Sequence, residues 1–307
     1  MQIVDLPEEK REVEWQTVAL AAVIYGMWFA ATWWHEILPI GIVALLGAIS
    51  VAWHMNMQHE TIHGHPTRNR FVNTALATWP LALWLPYEIY RHSHLRHHNE
   101  QMLTDPLDDP ESYYWTSEQW DALGPVGRAL IRAQSVMIGR LVIGPGWSMY
   151  RLWADEIRAI LAGDRARLKV ALSHAAQTAL VLVWVMGVCK MSFLTYFFLF
   201  AYAGTALALI RSFAEHKAEQ TAERRTAIVE NATLFGPLFL FNNLHVAHHV
   251  RATVPWYRLP AFHRLNRAAF VARNGGLVYR NYFEVARRYM FRSNDGPVHP
   301  FRRGFRV

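Results

Sequence analysis

Two short stretches of this sequence place histidines in the same H-x-x-H-H spacing, and that spacing has a chemical meaning. The first stretch, HLRHH, contributes His94, His97 and His98. The second, HVAHH, lies far downstream and contributes the histidines at 245, 248 and 249. In an α-helix, side chains three or four positions apart share a face, so each stretch directs two or three imidazoles to one side. Imidazole is a common ligand of iron, zinc and copper.

Two further segments extend this set. HETIH carries His59 and His63 four positions apart, and RSFAEH ends in His216. Nine imidazoles exceed what one metal ion needs, whereas two ions would each receive four or five nitrogens and keep positions open for oxygen. All-nitrogen dinuclear sites of this kind favour iron and oxygen chemistry. The histidines that we interpret as ordinary solvated or hydrogen-bonded side chains are His35, His54, His174, His263 and His299.

Long uncharged runs provide the elements that must position these histidines. Hydrophobic residues make up 52% of the 307 residues, and they concentrate in four runs of about 18–20 residues, long enough to cross a bilayer as helices. The sequence therefore predicts an all-α integral membrane protein, with four transmembrane helices in two hairpins and a cytoplasmic helical cap with interfacial helices. We expect a single domain over 1–307, with spans at about 15–34, 38–57, 170–189 and 193–211, and a cap formed by 58–169 and 212–307.

The distribution of basic residues predicts the orientation. Of 31 lysines and arginines, only Lys190 lies in either short loop between paired spans. Because cytoplasmic loops are enriched in basic residues, we expect the termini, the cap and the histidines to face the cytoplasm, most simply at a bacterial inner membrane. The net charge of +7 then fits membrane lipid headgroups or an acidic protein partner and requires no nucleic acid. The apolar stretch 71–90 contains Pro80 and Pro86, which favour an interfacial or half-inserted pair of helices over a fifth span.

The order and spacing of these segments resemble the membrane fatty acid desaturase superfamily. The resemblance rests on HETIH, HLRHH, RSFAEH and HVAHH together with the two hairpins, and it covers nearly the whole chain. It implies a non-haem di-iron enzyme that uses O2 and two electrons to remove two hydrogens from a saturated chain. The metal ligands that it implies are His59, His63, His94, His97, His98, His216, His245, His248 and His249.

Side chains close to these ligands in sequence are expected to orient them. A carboxylate can accept the second N–H of a metal-bound imidazole. The nearest carboxylates are Glu60, Glu88, Glu100, Asp105 and Glu215. In some members of the superfamily an asparagine near the ninth histidine reaches the metal through water, but Ser212 stands there in this chain, so Asn242 or Asn243 could supply a substitute amide. The acidic loop 103–115 is expected to shape the site or to bind the substrate headgroup.

The electrons are expected to come from a separate protein. The chain has no G-x-G-x-x-G dinucleotide fingerprint, no cysteine set for an iron–sulfur cluster and no haem-binding module. A ferredoxin or a cytochrome b5-like protein would present acidic charge, which arginines near the histidines could attract. The candidate docking residues are Arg91, Arg96, Arg251 and Arg258.

Two other functions remain open at this point. Carotenoid ketolases and hydroxylases and alkane hydroxylases share the histidine pattern but insert oxygen, and the branch depends on where the substrate carbon lies. A histidine-rich metal transporter is less favoured, because it would need ionisable residues inside the spans, where this chain has few. The substrate is expected to be lipophilic and to enter from the bilayer, while its identity, its carrier and the regiochemistry stay open.

Overall fold

The computed structural model describes residues 3–7 and 13–301, and helices make up most of this part of the chain. In chain order the helices are α1 (Trp15–Trp33), α2 (Ile40–Ile62), α3 (Arg70–Ala77), α4 (Tyr87–His97), α5 (Ser117–Asp121), α6 (Pro125–Gln134), α7 (Met137–Val142), α8 (Gly144–Leu161), α9 (Arg165–Val188), α10 (Phe193–Glu215), α11 (Phe235–Leu238), α12 (His245–Val250), α13 (Leu259–Arg273) and α14 (Tyr282–Tyr289). Two strands of two residues each, β1 (Ile228–Val229) and β2 (Val278–Tyr279), pair in parallel. By length and composition, α1, α2, α9 and α10 can cross a bilayer.

The chain folds as two compact units, and α10 contributes residues to both of them. The span unit comprises Arg11–Arg91 and Gly144–Ala208. The terminal unit comprises Met1–Lys10, His92–Ile143 and Leu209–Val307. The prediction of a single family domain over 1–307 stays a prediction.

Glycines allow α2 and α10 to pack closely in the span unit. A Cβ at Gly47 would lie 2.7 Å from the ring of Phe200, and one at Gly204 would lie 2.5 Å from the side chain of Val51. Small residues at such positions let helices in membranes approach until their backbones nearly touch. The largest buried side chains around this seam include Ile24, Trp28, Tyr196 and Phe200.

The segment between α3 and α4 has no regular secondary structure but is buried in the span unit. Leu81 and Ala82 are only 1% and 4% exposed. The Tyr196 hydroxyl donates to the carbonyl of Leu81 at 2.8 Å, and His174 Nε2–H donates to the carbonyl of Leu83 at 2.8 Å. Irregular backbone is tolerated among membrane helices only where other groups satisfy its polar atoms. The two prolines predicted to interrupt 71–90 therefore lie in a buried turn segment between two short helices, and the interfacial position stays a prediction.

One hydrophobic core of the terminal unit includes α13. Phe262 and Phe270 on this helix are fully buried, in one core with the apolar face of α12. The N-terminal segment Ile3–Pro7 lies against the same helix, since Val4 N–H donates to Asn266 Oδ1 and Asn266 Nδ2 donates back to the Val4 carbonyl, both at 2.8 Å. Because α12 carries the HVAHH histidines, this core fixes the helix from which they project.

Three of the long helices extend beyond the predicted spans. α2 continues to Ile62, α10 continues to Glu215, and α9 begins at Arg165, where the Asp164 side chain caps the helix by accepting from the Arg167 backbone N–H at 3.0 Å. Hydropathy marks the end of an apolar run, whereas a helix ends where its backbone hydrogen bonds end, and polar residues can continue it. The mostly helical fold and the four span-length helices are confirmed, while the hairpins and the cytoplasmic cap stay predictions.

Candidate metal centre

The HETIH histidines lie at the end of α2, in the span unit. His59 occupies the last turn and His63 caps the helix, with 4.9 Å between the ring centroids. The helix ends here because Gly64 adopts φ of +95°, a left-handed conformation that glycine accepts without strain. Between the two histidines, the hydroxyls of Thr61 and Tyr87 are hydrogen-bonded at 3.0 Å, which ties this turn to the start of α4.

Seven histidines of the terminal unit form two groups. The His94 group contains His94, His98 and His248, and the His97 group contains His97, His216, His245 and His249. Within each group, one ring nitrogen of every histidine lies within 4.8 Å of those of the others. Each H-x-x-H-H stretch supplies both groups, because its first and last histidines are about one turn apart and its middle histidine points elsewhere. The unusual spacing therefore divides the imidazoles between two sites.

The rings of the His97 group present their Nε2 atoms to one another. His216 Nε2 lies 3.0 Å from His97 Nε2 and 3.0 Å from His245 Nε2. His249 Nε2 lies 3.2 Å from His245 Nε2. The corresponding separations in the His94 group are 3.0 and 3.1 Å. The nitrogens of both groups thus converge.

Oxygen atoms on the opposite side of the rings decide which nitrogen carries the proton. His97 Nδ1 lies 2.9 Å from Asp109 Oδ1, and His216 Nδ1 lies 3.3 Å from the carbonyl oxygen of Arg225. Since these oxygens only accept, Nδ1 carries the proton, and a neutral ring keeps a lone pair at Nε2. The two Nε2 lone pairs then face each other at 3.0 Å, which is unfavourable unless a proton or a metal cation lies between them.

The nitrogen separations fit ligands of a shared metal ion. Two nitrogens bound at about 2.1 Å and at a right angle are about 3.0 Å apart, and at the tetrahedral angle they are about 3.4 Å apart. The separations of 3.0–3.2 Å in the His97 group match the first arrangement. All-imidazole sites suit iron, copper and zinc. The donor set therefore fits a transition-metal ion with positions available for further ligands.

Burial and charge control the protonation of the imidazoles. Burial is the largest cause that lowers the pKa of most of these rings, and neighbouring cationic or imidazole side chains lower it further, which leaves the neutral form that metals bind. The rings with a pKa well below the usual value are His94, His216, His245 and His249. His97 differs, because burial lowers its pKa but Glu111 and Asp109 outweigh that effect and raise the pKa to about 9.

Two acidic residues that sequence reasoning did not single out contact the imidazoles. Asp109 Oδ1 accepts from His97 Nδ1–H at 2.9 Å, and Glu111 Oε1 accepts from His94 Nδ1–H at 3.1 Å. Asp105, which we expected near the ligands, accepts with Oδ1 from two backbone N–H groups of its own turn. The acidic loop 103–115 was the correct signal in the sequence, but the turns of the loop decide which of its carboxylates faces the histidines.

The end of α10 brings Glu215 to the same rings. Glu215 Oε1 lies 3.3 Å from His245 Nδ1 and 2.9 Å from Arg211 Nη1, and all three side chains are largely buried. The backbone carbonyl of Asn242 also lies 3.2 Å from His245 Nδ1. Asn243 donates from Nδ2 to a carbonyl of β1 at 2.7 Å, so its amide anchors the chain before α12.

The remaining carboxylates that the sequence suggested lie in different surroundings. Glu60 Oε1 is 3.7 Å from His59 Nδ1, beyond hydrogen-bond range, although both side chains are buried. Glu88 forms an ion pair with Arg70 at 3.6 Å. The side chain of Glu100 lies outside the described residues.

Two of the candidate docking arginines hold the N-terminal segment. Arg251 pairs at 2.7 Å with the carboxylate in Ile3–Pro7, and Arg258 donates at 2.7 Å to a backbone carbonyl of the same segment. Arg96 is exposed and donates to a carbonyl of the acidic loop at 3.3 Å. Arg91 on α4 is partly exposed. The predicted docking role of these arginines stays a prediction.

The four span-length apolar helices are typical of a helical membrane protein. The converging imidazoles add groups of candidate metal ligands. A family model described as fatty acid desaturase matches residues 36–282 of the sequence. No curated protein matches the sequence significantly. Because the matched range covers most of the chain and includes all nine histidines, the chain belongs to the fatty acid desaturase family, and the resemblance seen in the motifs is confirmed.

Proposed function

We propose that this protein is an O2-dependent desaturase with a di-iron centre, which introduces a double bond into a fatty acyl or similar lipophilic chain. The observation that supports this most directly is the convergence of the Nε2 atoms in the His94 and His97 groups, in a chain of the fatty acid desaturase family. Membership of that family supports an oxidoreductase of the desaturase and oxygenase type.

All nine histidines are proposed as metal ligands. The His97 group would hold one ion through its four Nε2 atoms. His59 and His63 are proposed to join the His94 group at the second ion, as the order of the motifs in the family implies. Iron held there would, with O2, supply an oxidant strong enough for an unactivated C–H bond.

The carboxylates beside the rings are proposed to orient them. Asp109, Glu111 and Glu215 would accept the Nδ1 protons and so direct the Nε2 lone pairs inward and make them more basic. These contacts are buried or half-buried, where the effective dielectric is low and the interaction is weakly screened. The chain itself would thus decide which nitrogen of each ring is available.

A lipophilic substrate is proposed to reach the site from the bilayer. α1, α2, α9 and α10 would cross the membrane, and His59 and His216 lie at the ends of α2 and α10. Iron ligands at the ends of spans would lie near the boundary of the apolar layer, where an acyl chain can enter without crossing water. The bias of basic residues supports a cytoplasmic location for this boundary.

The electron donor is proposed to be a ferredoxin or a cytochrome b5-like protein. Arg96 is exposed next to the HLRHH histidines, and Arg91 lies earlier on the same helix. Arg251 and Arg258 would contribute through the surface that they share with the N-terminal segment. Opposite charge on an acidic donor would increase the rate of encounter.

Expression in a bacterial host of known lipid composition tests the proposed function. Gas chromatography with mass spectrometry of the fatty acids, together with extracts of pigments and polar metabolites, should reveal a product lacking two hydrogens. The control is the His249→Ala variant expressed at the same level, which should leave the profile of the host unchanged. A hydroxylated or ketone product would favour the oxygen-inserting alternative. Unchanged pools with iron-loaded protein and a reduced donor would contradict both.

A further inference from the structure

The chain beyond the family-matched range returns to the acidic loop of the candidate metal centre. We call the segment Asp295–His299 the C-terminal brace; the family match ends before it, at residue 282. Trp115 N–H donates to the carbonyl of Pro297 at 2.9 Å, and His299 N–H donates to the carbonyl of Trp115 at 3.0 Å. These bonds pair the brace with the loop that carries Asp109.

One hydrogen-bonded route leads from the brace to His97. Phe301 N–H donates to His299 Nδ1 at 3.3 Å, so the proton of the neutral ring lies on Nε2, which donates to Thr104 Oγ1 at 3.2 Å. Thr104 N–H in turn donates to Asp109 Oδ2 at 2.9 Å. The other carboxylate oxygen of Asp109 accepts from His97. Every side chain on the route from His299 to His97 is buried.

The backbone conformation of Thr104 indicates that surrounding contacts hold this residue in place. Its φ is +67°, a left-handed conformation that is an outlier for a β-branched residue. Such strained residues persist only where neighbouring interactions over-determine them. Here the backbone N–H is held by Asp109, the carbonyl accepts from Ser112 Oγ at 2.8 Å, and the hydroxyl is held by His299.

A second route leads from the brace to the segment after His216. The Tyr114 hydroxyl donates to Asp295 Oδ2 at 3.0 Å. The same hydroxyl accepts from Ala218 N–H at 2.8 Å. Ala218 follows His216 by two residues, so this bond restrains the strand-like turn from which that ring projects.

We propose that the C-terminal brace positions His97 and His216 together and so stabilises one metal ion, the ion of the His97 group. The proposal rests on the proposed di-metal function. The first route ends on the ring of His97, and the second ends on the backbone two residues after His216. The Nε2 atoms of these two histidines lie 3.0 Å apart. Small rotations of either ring would separate these nitrogens, and buried hydrogen bonds to the partners of metal ligands commonly set metal affinity.

The first test removes one hydroxyl at a time. Thr104→Val keeps the β-branched shape and the backbone strain but removes the acceptor of His299 Nε2–H. Thr104→Ser keeps the hydroxyl and should behave as the wild type. Tyr114→Phe removes the second route alone. We expect Thr104→Val and Tyr114→Phe each to release one of the two metal ions about 10–100-fold more readily than the wild type does.

Metal retention is measured on the purified full-length protein, loaded with iron and challenged with increasing chelator. Elemental analysis should give a two-step loss in the wild type and an earlier first step in Thr104→Val and Tyr114→Phe. Hydrogen exchange at the Ala218 amide should accelerate in Tyr114→Phe. The matched control is His263→Gln, a buried histidine of the same unit that faces Glu230 at 3.4 Å and should change stability without changing the metal steps.

The outcomes separate this inference from the proposed function. Wild-type protein that retains no iron overturns the proposed function. Wild-type protein that retains iron, together with brace variants whose metal loss matches Thr104→Ser and His263→Gln, overturns the brace proposal. If a brace variant unfolds and loses both ions in one step, it is compared with Thr104→Ser. Equal loss in Thr104→Ser also overturns the proposal.

Discussion

His97 and His216 bring their Nε2 atoms within 3.0 Å of each other, although they are 119 residues apart in the sequence. The Nδ1 atom of each ring faces an oxygen acceptor, on Asp109 for one ring and on the Arg225 backbone for the other. Buried polar atoms normally pair donor with acceptor, so two converging lone pairs need a proton or a metal cation between them. This relationship is the strongest structural sign of a metal ion in the His97 group.

We expect about two iron ions per chain in protein purified after growth with ample iron, since the imidazole groups would divide the ligands between two ions. Elemental analysis measures the ratio.

Alanine variants of four of the histidines should lose iron and turnover but still insert into the membrane, because the apolar helices drive insertion. The variants are His97→Ala, His98→Ala, His248→Ala and His249→Ala. His35→Ala, in the loop after α1, is the control that should retain iron. One zinc ion and no iron would contradict the di-iron proposal.

Asp109→Asn should weaken metal binding about 10–100-fold, because an amide orients the His97 ring less strongly than a carboxylate. Competition with a chromogenic chelator measures the change in affinity. Asp105→Asn is a matched control in the same loop, since its side chain caps a turn and an asparagine can cap that turn as well. Equal affinities in both variants would remove Asp109 from the set of positioning residues.

Tyr196→Phe should destabilise the span unit by roughly 1–3 kcal/mol. The hydroxyl donates to the buried carbonyl of Leu81 and accepts from Trp28 Nε1–H at 2.9 Å, so its loss leaves both groups unsatisfied in an apolar core. Thermal unfolding in detergent measures the effect. Tyr150→Phe, at a side chain that is 64% exposed, is the control and should change stability little. Equal unfolding midpoints for the two variants would show that the buried turn segment does not depend on this bond.

Single cysteines should reveal the predicted orientation in a Cys189→Ser background. A cysteine at Leu107, in the exposed part of the acidic loop, should react with an impermeant reagent only from the cytoplasmic side. A cysteine at Ile37, between α1 and α2, should react only from outside intact cells. Labelling of Leu107→Cys from outside intact cells would overturn the orientation.

Turnover with a purified acidic donor should fall as ionic strength rises, since salt screens the attraction between opposite charges. Arg251→Glu should reduce both the rate at low salt and its salt dependence. Arg251 also pairs with Asp5, so the double variant Asp5→Arg/Arg251→Asp restores that ion pair without restoring an arginine at position 251. Recovery of wild-type kinetics in the double variant would assign Arg251 to the fold, and continued loss would assign it to docking.

The sequence alone determined the elements and most of the candidate ligands. Four apolar runs predicted the long helices because a span needs a nearly continuous apolar surface. The H-x-x-H-H spacing predicted shared helix faces because the helical period is local. A polar or charged residue, however, does not by itself end a helix. α2 and α10 therefore continue past the apolar runs from which they were predicted.

Only the tertiary structure decided which histidines meet and which carboxylates contact them. His97 and His98 are adjacent in sequence but join different groups, and His97 meets His216 through contacts between distant segments. Asp109 and Glu111 face the rings, whereas Asp105 accepts from two backbone N–H groups of its own turn. Thr104 N–H donates to Asp109, and Thr104 accepts from His299 of the C-terminal brace, so contacts between distant segments accompany this arrangement of the loop. Local patterns specify the face of a helix, whereas the partner across the fold depends on long-range packing that no local period encodes.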